Sequence, residues 1–489
     1  MSRSVSLTFF LFLHLALCGQ HAPAKLQAEI KRLQNDAAMR HGNWGLCVLT
    51  ADSGKVIAEH NAIACLTPAS TLKVLTAGAA LGILGPSYRY QTFLEYDGTY
   101  DSLAGVLRGN VYIRGGGDPS FLTETMPGAD TAQPVFDRWI ALLQSKGVKK
   151  IEGMVIADAS AFEDNPVPPG WVWSDMGNYY GAGAYGLNYR DNRYRIYFTS
   201  GNDGDTTRIT RTDPPLPQLR IDNEVIAGGR KDEAFIYGAP YNFWQVASGS
   251  IPPNRKDYDV DGALPDPPLA CAEAFAKQLQ TLGISVSGEA QTVRALKSRD
   301  SYKPGKRRTW AVHQSAELSK IVGYTMVKSD NMYAECLLKT LALHKRKKGT
   351  LEGGLEEAKS YWASKGLDVE ALYMNDGSGL SRSNALSVKQ LAGAMQIASK
   401  QSWYKAFYDG LPVAGVNGSF ASLCQGTAAE RNLRGKSGYI TRARGYTGYV
   451  KDKKGRLLTF AVLANNYTCP AAEMRKKLEK ILVALAEIE

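Results

Sequence analysis

No Cys-x-x-Cys pair and no two histidines at zinc-ligand spacing occur in this chain, which has only 6 histidines and 7 cysteines among 489 residues. A metal site is therefore not expected. Six of the cysteines, Cys47, Cys65, Cys271, Cys336, Cys424 and Cys469, are scattered and lie mostly in apolar surroundings, where a thiol behaves as a small hydrophobe. A disulfide among them stays open, but no framework of bridges is implied. No serine has the Gly-x-Ser-x-Gly setting of a nucleophile elbow. Gly181-Ala182-Gly183-Ala184-Tyr185-Gly186 spells G-x-G-x-x-G, but it follows an aromatic loop and not a strand, so no dinucleotide cofactor is expected. Gly115-Gly116-Gly117-Asp118-Pro119 reads as a turn. Gly435-Lys436-Ser437 resembles the end of a phosphate loop, but Glu430 stands where that loop requires glycine. Past the N-terminus, no apolar run reaches the roughly 18 residues of a membrane span. The formal charge of +11 is spread over a long chain with acidic residues interspersed, so nucleic-acid binding rests on charge alone and is set aside.

What is present is a long chain, enough for two or three domains. Residues 1–24 read as an export segment: Arg3 as the charged start, an apolar run over 5–17, and Ala22-Pro23-Ala24 as a small-x-small cleavage site. The mature protein is then extracytoplasmic. A rival reading takes Leu15-Ala16-Leu17-Cys18 as a lipoprotein box with Cys18 lipidated and the protein membrane-anchored, although Leu17 is bulky where a small residue is expected.

Residues 66–84, LTPASTLKVLTAGAALGIL, are small or apolar almost throughout and predict a buried helix beginning near Pro68 and Ser70. Its one full charge is Lys73, three residues after Ser70 and so on the same face. Burial and the positive end of the helix dipole both disfavour an ammonium there. A neutral amine beside a serine hydroxyl can take its proton as the oxygen attacks. The same spacing recurs at Ser402 and Lys405, among aromatics that look exposed, with no buried helix to strip that lysine of water.

Around this helix, 25–39 predicts an amphipathic helix and 44–49 and 55–59 a hairpin turned at Asp52-Ser53-Gly54. Residues 91–299 read as an inserted, mostly β region with strands at 109–113, 150–157, 193–199 and 290–295, a helix at 270–282, and loops at 165–175 and 261–268. Helical periodicity returns from 316 to 343, with Ser329-Asp330-Asn331 inside it, and buried polar residues there need partners. Asp376-Gly377-Ser378-Gly379-Leu380-Ser381-Arg382 is a polar loop. Strands are predicted at 434–441, 444–451 and 457–465, followed by a helix with Met474, Leu478, Ile481, Leu482, Leu485 and Ile488 on one face.

Ser70-x-x-Lys73, Ser329-Asp330-Asn331 and Lys436-Ser437-Gly438, in that order, resemble the active-site set of penicillin-binding proteins and serine β-lactamases. The first gap, about 260 residues, is far longer than in a β-lactamase. It is similar to that of class C penicillin-binding proteins, the D-alanyl-D-alanine carboxypeptidase/endopeptidases of the DacB type, as are Pro68-Ala69-Ser70, Gly116-Gly117-Asp118-Pro119, Tyr185-Gly186-Leu187-Asn188 and residues 376–382. The resemblance implies an α/β (α+β) fold: a transpeptidase/β-lactamase-like domain of 25–90 and 300–489, its antiparallel sheet flanked by helices, and an insertion of two nested subdomains. It implies Ser70 as nucleophile, Lys73 as base, Ser329 as proton carrier and Asn331 as orienter of Lys73 and substrate. Lys436 and Ser437 would hold the substrate carboxylate, with an oxyanion site at the N–H groups of Ser70 and Tyr439, the latter following Gly438. The substrates would be peptidoglycan stem peptides and the inhibitors β-lactams, with no cofactor. Asp175, Tyr180 and Arg382 match positions that contact the stem-peptide side chain. Tyr439 departs from the Thr or Ser usual there, and Arg442 or Arg444 is expected to compensate. The alternatives are a β-lactamase, for which no deacylating base is recognisable, and a wall-binding module with weak turnover.

Overall fold

The computed structural model describes residues 23–489, so all but the end of the export segment, Cys18 included, lies outside the described residues. The expected hairpin forms from Asn43–Thr50 and Val56–His60. Its first strand pairs on the other edge with Leu457–Asn465, which continues into Ala443–Lys451 and Arg434–Ile440, an antiparallel sheet of five. Successive side chains alternate across it, as the pleat requires. Leu46, Val48, Phe460 and Val462 pack with Leu26, Ile30, Met474 and Leu478 of the Ala24–Gln34 and Ala471–Ala486 helices. Cys47, Leu49, Ala461 and Leu463 face the opposite core, with Val74, Leu75, Met332 and Leu391. The helix Lys73–Leu84 lies in that second layer with no wet face: Lys73 through Leu81 are all buried. The expected α/β architecture, an antiparallel sheet with helices on both faces, is the one observed.

Between residues 91 and 314 four further sheets form. Gln91–Tyr96 and Arg308–Gln314 pair with each other, so the chain enters and leaves this region side by side. They belong to a five-stranded sheet with Val111–Arg114, Val155–Asp158 and Gln291–Thr292, next to a four-stranded one. Two three-stranded sheets come from residues 193–263.

Several expectations are corrected. The helix expected over 316–343 is two, Leu318–Lys328 and Asn331–Arg346, because Ser329 is left-handed (φ 59°) and Asp330 caps the second helix through the N–H of Tyr333. Residues 150–157 make two strands in different sheets, Lys150–Ile151 and Val155–Asp158. At 290–295 only Gln291–Thr292 is extended, since the Thr292 hydroxyl accepts from the N–H of Ala295 and starts a short helix. The loop expected over 261–268 holds the end of strand Tyr258–Ala263 and the start of helix Pro267–Thr281. The insertion also contains a helix, Ala132–Ser145, whose Val135, Phe136, Trp139, Ile140 and Leu143 are buried; Pro134 near its start obscures it in sequence. Among the described residues all six cysteines are free, and no helix is long and apolar enough to cross a membrane.

Candidate active site

Ser70 sits in a 3-10 turn, Ala69–Leu72, one turn earlier than the α-helix proper, which begins at Lys73. Ala69 is left-handed (φ 47°), an uncommon state for a residue with a Cβ. The 3-10 turn is held by the Thr71 hydroxyl, which donates to the carbonyl of Pro68 at 2.7 Å. The central sheet comes in from the other side: a Cβ on Gly438 would lie 2.5 Å from the carbonyl oxygen of Pro68 and 3.0 Å from the Ser70 nitrogen. Only glycine lets strand Arg434–Ile440 pass this close to the serine.

Lys73 is fully buried, with Nζ 3.1 Å from Ser70 Oγ, 2.6 Å from Asn331 Oδ1 and 2.7 Å from the carbonyl of Ser378. Burial lowers its pKa to about 8, against the pull of Asp376, Glu335 and Asp330. A neutral amine has two N–H bonds, which the two short contacts use, leaving its lone pair for the serine hydroxyl. Asn331 is fixed in turn, its Nδ2 donating to the carbonyl of Tyr180 at 2.8 Å. Lys436, equally buried, donates to Ser329 Oγ at 2.8 Å and to the carbonyl of Ser437 at 2.9 Å. Burial first, and then the charge of Lys73, hold it well below the usual lysine range. The left-handed turn at Ser329 and the Asp330 cap carry Ser329 and Asn331 to this point, and Arg193 of the insertion pairs with Asp330.

The cleft over Ser70, about 670 Å³, falls within the roughly 300–1,000 Å³ of small-ligand sites. Ser329, Asn331, Tyr439, Asp175, Tyr180 and Arg382 all line it. Asp175 accepts from the Tyr180 hydroxyl at 3.3 Å. Its pKa is raised by burial, while the Tyr180 bond and Arg382 pull it down. Every sequence-predicted site residue thus lies in or beside one cleft. Ser402 and Lys405 do not: Lys405 is exposed and pairs with Asp409, although the neighbouring Trp403 is buried, contrary to the expectation of exposed aromatics.

Neither arginine expected to compensate for Tyr439 lines the cleft. The Arg444 guanidinium lies 4.7 Å from the centre of the Tyr439 ring and donates to the Tyr446 hydroxyl, and Arg442 is a left-handed turn residue outside the cleft lining. A different hydroxyl is at hand: Ser437 Oγ donates to Ser419 Oγ at 2.6 Å. Sequence reading also missed Glu335, fully buried, which accepts the N–H of Gly377 at 3.0 Å and of Ser378 at 2.9 Å. Burial, and then Asp376, raise its pKa to about 8. It stands four residues after Asn331 as a lone carboxylate in an apolar stretch, the same signal that singled out Lys73. Asp376 fixes the loop further, accepting from Gly379 N, Ser381 N, Asn384 Nδ2 and Trp171 Nε1.

The model of the D-Ala-D-Ala carboxypeptidase 3 (S13) family matches residues 26–487. The chain belongs to that family. Among curated relatives of this S13 carboxypeptidase, a D-alanyl-D-alanine carboxypeptidase from Actinomadura is 26% identical over 466 residues, spanning 91% of this chain and 82% of the relative. D-alanyl-D-alanine carboxypeptidase DacB of Haemophilus influenzae is 24% identical, spanning 89% and 88%. The solved structure of penicillin binding protein 4 (dacB) from H. influenzae matches with a TM-score of 0.76 at 24% identity, covering 91% of this chain and 96% of that one. The penicillin-binding fold and the carboxypeptidase class inferred from the motif order both stand.

Proposed function

We propose that this carboxypeptidase cleaves the terminal D-Ala-D-Ala bond of peptidoglycan stem peptides through an acyl-Ser70 intermediate. The observation that carries the reading is Lys73 Nζ, desolvated and within hydrogen-bond reach of both Ser70 Oγ and Asn331 Oδ1. Ser70 Oγ attacks the carbonyl carbon and its proton passes to Lys73. The oxyanion is met by the N–H groups of Ser70 and Tyr439. As the C–N bond breaks, Ser329, backed by Lys436, gives its proton to the leaving amine and is restored by the proton held on Lys73, which becomes neutral again. Water, losing its proton to Lys73, then hydrolyses the ester, and that proton passes to Ser70 Oγ as the acid departs. Lys436 and Ser437, with Ser419 beside it, hold the substrate carboxylate; Asp175, Tyr180 and Arg382 take the stem-peptide side chain.

Residues 25–90 and 300–489 form the catalytic unit in this reading, and 91–299 the insertion with its inner subdomain nested in the outer; the separate groups of sheets support that division except at its second boundary, since Arg308–Gln314 joins the sheet of the insertion. The mature enzyme works outside the cytoplasm, on the strength of the 1–24 export pattern. Mass spectrometry of the mature N-terminus decides between cleavage near residue 25 and lipidation of Cys18.

β-Lactams acylate the same serine. Labelled penicillin is expected to give a stoichiometric, long-lived adduct on the Ser70 peptide, with D-alanine released from a D-Ala-D-Ala peptide by the untreated enzyme. Rapid turnover of the adduct would make the protein a β-lactamase, and an enzyme releasing no D-alanine would leave only a binding module. Cross-linked muropeptides test endopeptidase action.

Ser419→Ala is expected to lower kcat/KM by about 10- to 100-fold for a carboxylate-ended peptide, the worth of one hydrogen bond to a charged group. The same peptide with an amidated C-terminus should be cleaved equally by both proteins. An equal loss on both substrates would mean that Ser419 supports only the loop.

A further inference from the structure

A second cleft opens on the inserted region, and none of the residues lining it lines the Ser70 cleft. Its volume is about 890 Å³. One wall is the outer face of helix Pro267–Thr281, carrying Glu273, Lys277 and Gln280. Asp266, Arg294 and Tyr241 also border a smaller adjoining cavity.

These three residues set this cleft apart from an ordinary surface fold. The Asp266 side chain is 5% exposed. One carboxylate oxygen accepts from the N–H of Leu269 at 3.1 Å and caps the helix. The other has Arg294 Nη2 at 3.9 Å, beyond hydrogen-bond reach. Arg294 Nε is itself buried without a partner, and its guanidinium lies 3.4 Å from the centre of the Tyr241 ring. Tyr241 is left-handed (φ 65°), pinned by its N–H to the carbonyl of Pro265 and by its hydroxyl to that of Asp164. A strained aromatic and a buried guanidinium nitrogen without a partner are costly to the fold alone, and a carboxylate oxygen beside them that takes no hydrogen bond from its own cation suits a site that a ligand completes.

The ligand must donate to Asp266 and accept from Arg294 within one short span, as neighbouring hydroxyls of a sugar do. Charge around the cleft is balanced, with Asp266, Glu273 and Glu289 against Lys277, Arg294 and Arg299, so nothing selects an ion of either sign. Gln280 and Gln291 offer amides to hydroxyl and acetamido groups, and Phe243 offers a ring to a sugar face. We propose that this cleft binds an N-acetylated amino-sugar strand, the glycan of the polymer whose stem peptides the Ser70 cleft cleaves. The link to that polymer rests on the peptidase reading above; the affinity for the sugar does not.

The test uses the full mature chain and the N-acetylglucosamine tetramer, titrated by calorimetry. Saturable binding is expected, weakened about 10-fold by Asp266→Asn, which keeps the helix-capping oxygen but loses the charge. A Glu273→Ala/Gln280→Ala double variant, altered only on the outer face of its helix, should weaken binding as well and guards against misfolding of the first. Both variants should release D-alanine from a soluble peptide at the wild-type rate and more slowly from insoluble wall polymer. The proposal is overturned if the wild type does not bind the tetramer at millimolar concentration, or if both variants bind it and digest the polymer as the wild type does. A wild type that binds the tetramer but leaves the soluble peptide intact would instead overturn the peptidase reading.

Discussion

Replacing Lys73 by Met is expected to slow acylation of Ser70 by about 10³-fold, the middle of the range for loss of a positioned general base. Methionine keeps the length and apolar stem of the side chain, so the buried helix should still pack and the loss should fall on chemistry. The pH profile gives an independent check. The Lys73 amine, lowered to about 8 by burial, accepts a proton only when neutral. Acylation should therefore climb as pH rises through about 8 and level off above it, falling tenfold per unit on the acid side. Burial keeps that inflection below the normal lysine range, and burial, then the charge of Lys73, hold the neighbouring Lys436 low as well. Stopped-flow labelling with penicillin across pH 6–10 reads both effects. A rate flat in pH for the wild type, or an inflection retained in Lys73→Met, would remove Lys73 from the base role.

Gly379→Ala carries the next largest expected effect. Gly379 is left-handed (φ 83°), and a Cβ there would run into the carbonyl oxygen of Ala69, itself left-handed and next to Ser70. The substituted chain must move either the loop that offers Ser378 to Lys73 or the turn that carries Ser70. A cost above about 3 kcal/mol in urea unfolding is expected, with penicillin labelling lost even in the fraction that stays folded. Gly438→Ala meets backbone at 2.5 Å and should follow the same direction. Labelling of Gly379→Ala at the wild-type rate would show that the loop and the turn move independently.

The last strands of the central sheet were legible in sequence because two of them are runs of apolar, aromatic and small residues joined at Lys454-Gly455: 434–441, 444–451 and 457–465 fall within a residue or two of the observed strands. Ser70 and Lys73 were legible because one charge in an apolar helix must have a reason to be there. Reading failed where a single residue overrides periodicity. Ser329 takes a backbone state that composition does not announce, and it splits what looks like one helix so that Ser329 and Asn331 face the same pocket. Glu335 lies beyond the motif, though its burial in an apolar helix is the Lys73 signal with the sign reversed. Ser419 gives no local signal at all. It matters only because the chain near Gly418 folds back on strand Arg434–Ile440, a contact no spacing rule reaches.

The order of strands in the central sheet sets when the enzyme can first act. Leu457–Asn465 lies between Asn43–Thr50 and Ala443–Lys451, so an early-made piece of the chain waits for one of the last to be synthesised. Closing such a distant pair is slow, since the loop between must be gathered first. A nascent chain therefore carries its serine without strand Arg434–Ile440, which passes beside it in the finished fold, and is inert. Hydrolysis begins only once the whole polypeptide has arrived.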